Sequence, residues 1–536
     1  HQLAPRDPRL KLLRDTAGDV DTSAREAPER ETASDSGSDS GASAETATSA
    51  AEPSDRLDPA LLKLAGIVLV GAVAVQLDMT IINVAIDTLG RDLHASLSTI
   101  QWVSTGYLLA VAVMIPLTGW SVDRFGGKPM WMLSLALFLA GSVLCGVAWS
   151  SGSLIAFRVV QGIGGGMMLP LLSTILAQAA GPQRLGRLAA AIAVPALVAP
   201  IVGPVIGGLI LDGLSWRWIF FINVPVCVIA FLLAWRYMNV PTERGEHPLD
   251  VLGLALVSPG LAAIVYGFSE AGSRGGFGSG QVIIPLVVGM ALLAGFAFHA
   301  LRMRIEPLID LRLFRVRSFT AASGLMFLGG LSIFGAMLLL PLYYQQARGQ
   351  SALDAGLLLA PQGLGMMIAL PFVGRLTDRI APRPIVLVGM ALATLGTIPY
   401  AQVGADTSEV ALGTWLVVRG AGLGAIFVPA MAASYYGLRI DEFPRATSAV
   451  RSFQQVGASF GTAVLAVILQ HQSSGATSAG ALADAFGHTF WWAVGFTALA
   501  CIPALLLPGV RPEPAVEPET AAERPARAEA PDLSRA

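Results

Sequence analysis

The sequence predicts an all-α integral membrane protein with fourteen transmembrane helices, arranged as two six-helix bundles plus two additional helices. The first reason is composition: the 536 residues are 54% hydrophobic and only 13% charged, with a mean hydropathy of +0.63. Soluble domains carry about 25% charged residues, so this chain has too few polar side chains to cover a water-facing surface. The second reason is a long series of apolar runs, and the third is a loop sequence that recurs in the second half of the chain.

Each predicted helix is an apolar run of about 20 residues or more, which is the length that crosses a bilayer. Loop Arg and Lys residues fall mostly in alternate loops, as at Arg124, Lys128, Arg315 and Arg379. Because cytoplasmic loops are enriched in these residues, the asymmetry predicts an even number of spans with both termini in the cytoplasm. The fourteen runs are 60–86, 99–121, 130–149, 154–179, 187–211, 216–238, 250–269, 281–301, 319–346, 354–376, 384–403, 411–436, 446–470 and 489–508.

The chain divides into five predicted segments. Residues 1–57 and 511–536 are polar and contain few large apolar side chains, so we expect disordered tails there. Residues 58–238 should form the N-terminal six-helix bundle, and residues 306–510 the C-terminal one. Residues 239–305 should form the two additional helices, and we expect these to pack at the periphery.

The recurring loop follows the second helix of each half. GWSVDRFGGKP at 119–129 and GRLTDRIAPRP at 374–384 share Gly, Asp and Arg in register. A glycine allows close helix approach, an aspartate can meet the positive end of a neighbouring helix, and basic residues hold a loop in the cytoplasm. Ordinary turn chemistry is the alternative. The loop residues of interest are Gly119, Asp123, Arg124, Gly126, Lys128, Gly374, Asp378, Arg379 and Arg383.

The fourth predicted helix contains a deep arginine, Arg158. An intramembrane arginine faces the bundle interior or a wet cavity and usually has a partner. Gln161 shares its helix face because it lies three residues further on. FRVVQGIGGG at 157–166 has a looser counterpart, VRGAGLGAIF at 418–427, in which Arg419 would answer Arg158 at an offset of 261.

Asp78 stands alone in the apolar run AVQLDMTIINVAI of the first helix. A charged side chain at the membrane centre costs about 2.5–3.5 kcal/mol on insertion scales. Burial penalises the ionised form of a carboxyl group, whereas a nearby cation favours it. An acid poised between these effects can take up and release protons, and when ionised it can attract a cation. A structural ion pair with an arginine and a neutral hydrogen-bonded acid are the alternatives.

Together these motifs resemble the Major Facilitator Superfamily over roughly residues 60–508. GWSVDRFGGKP and RVVQGIGGG resemble its loop and fourth-helix signatures, and VAPIVGPVIGG at 198–208 resembles its fifth-helix signature associated with antiporters. LDMTIINVAI, WRWIFFINVP at 216–225 and RSFQQVGASFGTA at 451–463 resemble hallmarks of the fourteen-helix drug:proton antiporter branch.

The resemblance implies the major facilitator fold and a role for each motif. The two loops would lock one conformation of an alternating cycle, and Arg158 would belong to a proton relay or balance the charge of the cavity. The fifth helix would be a bendable interface that limits leak, with a generic glycine-rich packing face as the alternative. Its residues of interest are Gly203, Pro204, Gly207 and Gly208.

Aromatic and amide side chains are candidates for a substrate cavity between the bundles, because aromatic faces suit organic cations. Each of these residues alone is more often a packing residue. The tenth and thirteenth predicted helices contain no deep acid, which favours a monocation or a neutral lipophile over a divalent cation. The candidates are Asn83, Gln101, Trp102, Tyr107, Tyr343, Tyr344, Gln345, Gln362, Arg419 and Gln454.

We therefore expect a proton-coupled antiporter that exports hydrophobic or cationic small molecules, including drugs and antibiotics, across the bacterial cytoplasmic membrane. The expected partners are the substrate, protons and the lipid bilayer, and the protein would work as a monomer without cofactor or metal. An exporter of one native product, such as a lipid, an amino acid or a self-made antibiotic, is the main alternative. A transport-dead sensor or scaffold is more remote. The sequence shows no catalytic or metal-ligating constellation and no basic patch suited to nucleic acid.

Overall fold

The computed structural model describes residues 59–95, 97–180, 203, 206–211, 213–240, 248–303, 307–403, 407–476 and 478–509. The two predicted tails, 1–57 and 511–536, lie outside these residues, as does most of the predicted fifth helix. The side chains of Asn83 and Gln101 are also outside the description. The described residues form helices and turns, and none of them is in a strand.

Thirteen helices in the described residues are long and apolar enough to cross a membrane, and each matches one predicted span. Only the end of the remaining predicted span, 187–211, is described, and its residues 206–211 are helical. The helix α5 breaks at Ile222 and α13 breaks at Ala500. The thirteen are α1 (Pro59–Asp92), α2 (Leu97–Phe125), α3 (Gly127–Gly146), α4 (Ser151–Ala180), α5 (Trp218–Tyr237), α6 (Val251–Arg274), α7 (Gly280–Arg302), α8 (Arg317–Leu342), α9 (Ala352–Arg379), α10 (Pro382–Ala401), α11 (Glu409–Ala433), α12 (Phe443–Ser473) and α13 (Ala479–Leu506).

Glycines bring α4 into close contact with its neighbours. A Cβ atom on Gly162 would lie 2.7 Å from the carbonyl oxygen of Tyr107 on α2, and one on Gly164 would lie 2.5 Å from Phe138 N on α3. Real side chains do not fit at these distances, so the GIGGG run works as a packing surface that lets three backbones meet. Gly420 and Gly422 of α11 contact α9 and α10 in the same way.

The glycines also define the register of the internal repeat. Gly162 packs on Tyr107, and Gly420 packs on Gln362. Positions 107 and 362 differ by 255, as the two loops do, whereas 162 and 420 differ by 258. Arg419 therefore corresponds to Gln161. The predicted correspondence between Arg158 and Arg419 is wrong by three residues. It aligned the two arginines by residue type, whereas the glycines that contact the neighbouring helices align with an offset of 258.

The two additional helices lie along the line where the halves meet. α6 contacts α2 through Ser258, whose Oγ donates to the carbonyl oxygen of Val113 at 2.8 Å. It contacts α12 through Phe268, whose ring centroid lies 4.9 Å from that of Phe460. α6 and α7 are tied together at one end, where His299 Nε2 lies 2.9 Å from Asp250 Oδ1. The hairpin thus touches both six-helix halves.

Candidate functional site

A buried ion pair joins α1 to α4. Asp78 Oδ2 lies 2.5 Å from Arg158 Nη1, and each side chain is only 1% exposed. An isolated charge at this depth would be very costly, and the cost is limited only when the charge is paired and hydrogen-bonded. Each of the two residues therefore depends on the other for its place in the bundle.

Amide and hydroxyl groups complete the environment of the carboxylate. Gln161 Nε2 and Asn223 Nδ2 each lie 2.9 Å from Asp78 Oδ1 and donate to it. Gln161 Nε2 also lies 2.8 Å from Ser142 Oγ, and Gln161 Oε1 accepts from Arg158 Nη1 at 2.7 Å. Four helices, α1, α3, α4 and α5, thus meet around one carboxyl group.

Arg158 has neutral partners in addition to Asp78. Its Nε donates to the carbonyl oxygen of Val103 at 3.2 Å, and its guanidinium carbon lies 4.2 Å from the centroid of the Tyr107 ring. A cation over an aromatic face is stabilised by the ring quadrupole. The guanidinium therefore keeps three contacts, with Val103, Tyr107 and Gln161, that do not depend on the charge of Asp78.

Contacts between the two halves lie at the end that carries the repeated loop. Arg445 Nε at the start of α12 lies 3.4 Å from Asp123 Oδ2 at the end of α2. A Cβ atom on Gly119 would lie 3.0 Å from the carbonyl oxygen of Pro444, so a side chain there would push α2 away from α12. Gly119 and Asp123 thus both contact the opposite half.

A second contact between the halves lies deeper. Arg451 Nη2 of α12 donates to Ser173 Oγ of α4 at 2.9 Å, and Arg451 Nη1 donates to Gln454 Oε1 of its own helix at 2.9 Å. A hydrogen bond that involves a charged group is worth about 1.5–3 kcal/mol. Together with the Asp123–Arg445 pair, it holds α2 and α4 against α12 at this end.

Residues 68–462 match the family model of the Major Facilitator Superfamily. The chain belongs to this superfamily. It is 40% identical over 420 residues to the multidrug resistance protein B homolog of Mycobacterium tuberculosis, with 78% of each chain covered. It is 31% identical over 390 residues to the lincomycin resistance protein LmrB of Listeria innocua, which covers 73% of this chain and 82% of the relative.

Solved structures of the Major Facilitator Superfamily share the fold. The crystal structure of the human organic anion transporter MFSD10 (TETRAN) covers 84% of this chain and 100% of its own, with a TM-score of 0.58 at 17% identity. The predicted all-helical major facilitator fold and the family resemblance are confirmed. Membership of this family points to a multi-pass membrane transporter and not to an enzyme.

The other predicted gating residues of the two repeated loops differ in their contacts and in their exposure. Lys128 Nζ donates to the carbonyl oxygen of Trp235 at 3.0 Å, which ties the first loop to the end of α5. Gly126 has a φ of +88°, a value that favours glycine. Arg124 and Arg379 are exposed, Arg383 is half-buried, and Gly374 and Asp378 are buried.

The antiporter signature of the fifth predicted helix is only partly described. Gly203 contacts Thr80 of α1, two residues from Asp78, so closely that a Cβ atom has no room. Gly207 is buried and Gly208 is half-buried, whereas Pro204 lies outside the described residues. This helix thus approaches α1 beside the ion pair.

The predicted cavity residues do not form one cluster. Tyr107 belongs to the ion-pair site, and Gln454 bonds to Arg451. Gln362 accepts a hydrogen bond from Arg419, and both residues belong to the C-terminal half. Trp102 stacks on Tyr266 of α6 with ring centroids 5.6 Å apart.

Three candidates lie just beyond α8, in the short π-helix Tyr343–Ala347. Tyr343 and Tyr344 are fully buried in an aromatic cluster with Tyr400 and Phe486, and Gln345 is exposed. The cluster gives the two tyrosines extensive packing contacts within the C-terminal bundle. In the described part of the chain, no group of three or more His, Cys, Asp or Glu residues is arranged to hold a metal ion.

Sequence reasoning missed Asn223 and Ser142. Asn223 is an amide in an otherwise apolar helix, which is the same signal that singled out Asp78. It lies within the quoted motif WRWIFFINVP but was not assigned a role there. Ser142 carries no such signal, because a serine in a membrane helix usually bonds to its own backbone. Only the packing of α3 against α4 reveals its role.

Proposed function

We propose that this protein is a proton-coupled antiporter that exports hydrophobic or cationic small molecules across the bacterial cytoplasmic membrane. Relatives named as multidrug resistance and lincomycin resistance proteins support drug-like substrates. The proton gradient drives the exchange without a cofactor, the monomer is the working unit, and both termini lie in the cytoplasm. The concentration of loop Arg and Lys on one side supports this orientation.

The observation that carries the proposal is the buried pair of Asp78 and Arg158. A carboxylate inside a membrane span is a candidate for proton exchange, since its ionised form is costly there. Arg158 and the amides of Gln161 and Asn223 stabilise that ionised form. Proton uptake removes the negative charge and breaks the ion pair. Arg158 then keeps its contacts with Val103, Tyr107 and Gln161.

Competition at one carboxylate accounts for antiport. A cationic substrate is attracted by the ionised form of Asp78, whereas a proton converts it to the neutral form. Binding of either ligand therefore lowers the affinity for the other, and the coupling is reciprocal. Each ligand drives a change in orientation only as far as its affinity differs between the two orientations.

The contacts between the halves supply the gate. In the proposed orientation, the end where Asp123 meets Arg445 faces the cytoplasm, so the described arrangement is closed on that side. Opening toward the cytoplasm requires the separation of Arg445 from Asp123 and of Arg451 from Ser173. Both separations move α12 relative to the N-terminal half.

The test is proton-driven uptake of a fluorescent lipophilic cation into everted membrane vesicles. Asp78→Asn is compared with Asp354→Asn, a matched change at an exposed aspartate in the first turn of α9. Uptake that collapses with the pH gradient, persists in Asp354→Asn and is absent in a well-expressed Asp78→Asn supports the proposal. Equal uptake by Asp78→Asn would remove Asp78 from the coupling. Inhibition by one native compound, without inhibition by unrelated drugs, would instead assign a narrow exporter.

A further inference from the structure

The C-terminal bundle contains a buried arginine whose partners are all neutral. Arg419 on α11 is 3% exposed. Its Nε donates to Thr397 Oγ1 at 3.2 Å, and its Nη1 donates to Gln362 Oε1. Among the described residues no carboxylate pairs with Arg419, and each Asp or Glu described in residues 307–509 lies outside the long helices or within six residues of the end of one. A buried cation without an opposite charge is strongly disfavoured.

The surroundings of Arg419 repeat those of the ion pair in the other half. Arg419 corresponds to Gln161 by the register of α4 and α11, and Thr397 corresponds to Ser142 at the offset of 255. In the first half, Asp78 bonds to Asn223 on the last helix of its bundle. In the second half, Ser332 on α8 lies 2.6 Å from Thr497 on the last helix, α13. Ser332 therefore takes the place of Asp78.

The two clusters differ in charge. The first half has one acid and one arginine, which balance each other. The cluster in the second half has Arg419 together with the hydroxyls of Ser332, Thr397 and Thr497, so its described side chains carry one positive charge and no negative one. The second half therefore has a polar cluster at the equivalent place, but the described side chains of that cluster supply no negative charge to balance Arg419.

A small cavity adjoins this cluster. Its volume is about 10 Å³, and its lining includes Ser332, Thr397, Arg419 and Thr497 together with Met390 and Leu423. Four of its twelve lining residues are polar, and a cavity of this size is at the lower limit for one water molecule, so a monatomic anion requires a small outward shift of the lining side chains. The cavity has no room for an organic molecule.

We propose that the C-terminal bundle binds one small inorganic anion, chloride, in the cavity beside Arg419. The guanidinium supplies the positive charge and N–H donors, and hydroxyl groups can donate as well. Thr397 and Thr497 donate to carbonyl oxygens of their own helices at 2.7 and 2.9 Å, and rotation about the Cβ–Oγ1 bond can turn each hydroxyl hydrogen toward the cavity without moving the oxygen. The anion balances Arg419 as Asp78 balances Arg158. This role is independent of proton coupling at Asp78.

The first test is the thermal stability of the purified full-length protein in sodium chloride against sodium gluconate at equal ionic strength. Chloride should raise Tm saturably, by about 2–4 °C once the site is filled. Arg419→Gln should lose this difference, whereas Arg274→Gln, at an exposed arginine of α6, should keep it. Equal Tm values in both salts for the wild type, or a chloride effect that survives in Arg419→Gln, would overturn the proposal.

A second variant supplies the missing charge from the protein itself. Ser332→Asp places a carboxylate at the position that corresponds to Asp78, so its Tm should no longer depend on chloride. Equilibrium binding of radioactive chloride covers the case in which this variant does not fold: the wild type should bind one ion per chain and Arg419→Gln none. Stabilisation by acetate but not by chloride would contradict the inorganic anion and assign Arg419 to an organic carboxylate.

Discussion

Gln161 and Arg419 occupy equivalent positions in the two halves, and each faces a hydroxyl group on the neighbouring helix. Gln161 Nε2 lies 2.8 Å from Ser142 Oγ, and Arg419 Nε lies 3.2 Å from Thr397 Oγ1. The N-terminal half thus places the amide of Gln161 against the carboxylate of Asp78, whereas the C-terminal half places the guanidinium of Arg419 at a cavity that Ser332 also lines. In our proposals this difference separates proton exchange in the N-terminal bundle from anion binding in the C-terminal bundle.

Removal of one partner of the ion pair should cost far more stability than removal of both. Asp78→Asn leaves Arg158 as an uncompensated buried charge, so we expect the free energy of unfolding to fall by about 3–5 kcal/mol. Combining it with Arg158→Gln should recover most of this loss while transport stays absent. Thermal unfolding of the purified variants measures the effect. Losses that simply add in the double variant would contradict the mutual dependence of the two residues.

Asn223 should stabilise the fold through its contact with Asp78. Asn223→Ala removes a buried donor from the carboxylate, which should lower the free energy of unfolding by about 1–3 kcal/mol. The matched control is Asn239→Ala, at an exposed asparagine just beyond α5, which should change stability by no more than about 0.5 kcal/mol. Denaturation of both variants in the same detergent provides the comparison. Equal effects would show that the bond to Asp78 contributes nothing.

Glycine packing on α4 allows a comparison within one helix. A Cβ atom on Gly164 would lie 2.5 Å from Phe138 N, whereas one on Gly152 would meet nothing within 4 Å. Gly164→Ala should therefore cost about 1–3 kcal/mol through overpacking, while Gly152→Ala should be neutral or slightly stabilising, since alanine favours the helix. The Tm values of the two variants decide the matter. A stable Gly164→Ala would mean that α3 and α4 can separate without loss.

Much of the fold could be predicted from the sequence, because membrane spans are set by hydropathy and length. All thirteen described helices overlap a predicted span. The offset of 255 between the two loops recurs between Tyr107 and Gln362, which have equivalent glycine contacts. Asp78 and Arg158 are predicted site residues because each is a charged residue in an apolar run, and Gln161 because it lies three residues after Arg158 on the same helix face.

The missed features depend on how helices pack. The correspondence of Arg419 with Gln161 follows from which glycine touches which neighbouring helix, and sequence spacing alone pointed to Arg158 instead. Ser142 became part of the site only through its distance to Gln161. The contact of α6 with both halves is likewise a consequence of tertiary packing, which hydropathy and length alone do not predict.

The hydrogen bond between Arg451 and Ser173 should favour the arrangement in which α12 contacts α4. Ser173→Ala leaves a charged donor without its acceptor, and a bond of this kind is worth about 1.5–3 kcal/mol. Since about 1.4 kcal/mol is a factor of ten, the population open at this end should rise about tenfold or more. Pulsed electron-spin resonance between labels at Arg236 and Asp441, both exposed, would report a longer distance. Ser459→Ala is the control, because among the described residues its hydroxyl donates to the carbonyl oxygen of Gln455 on its own helix and to no residue of the other half. An unchanged distance distribution in Ser173→Ala would show that Asp123 and Arg445, with the packing around Gly119, suffice to hold this end closed.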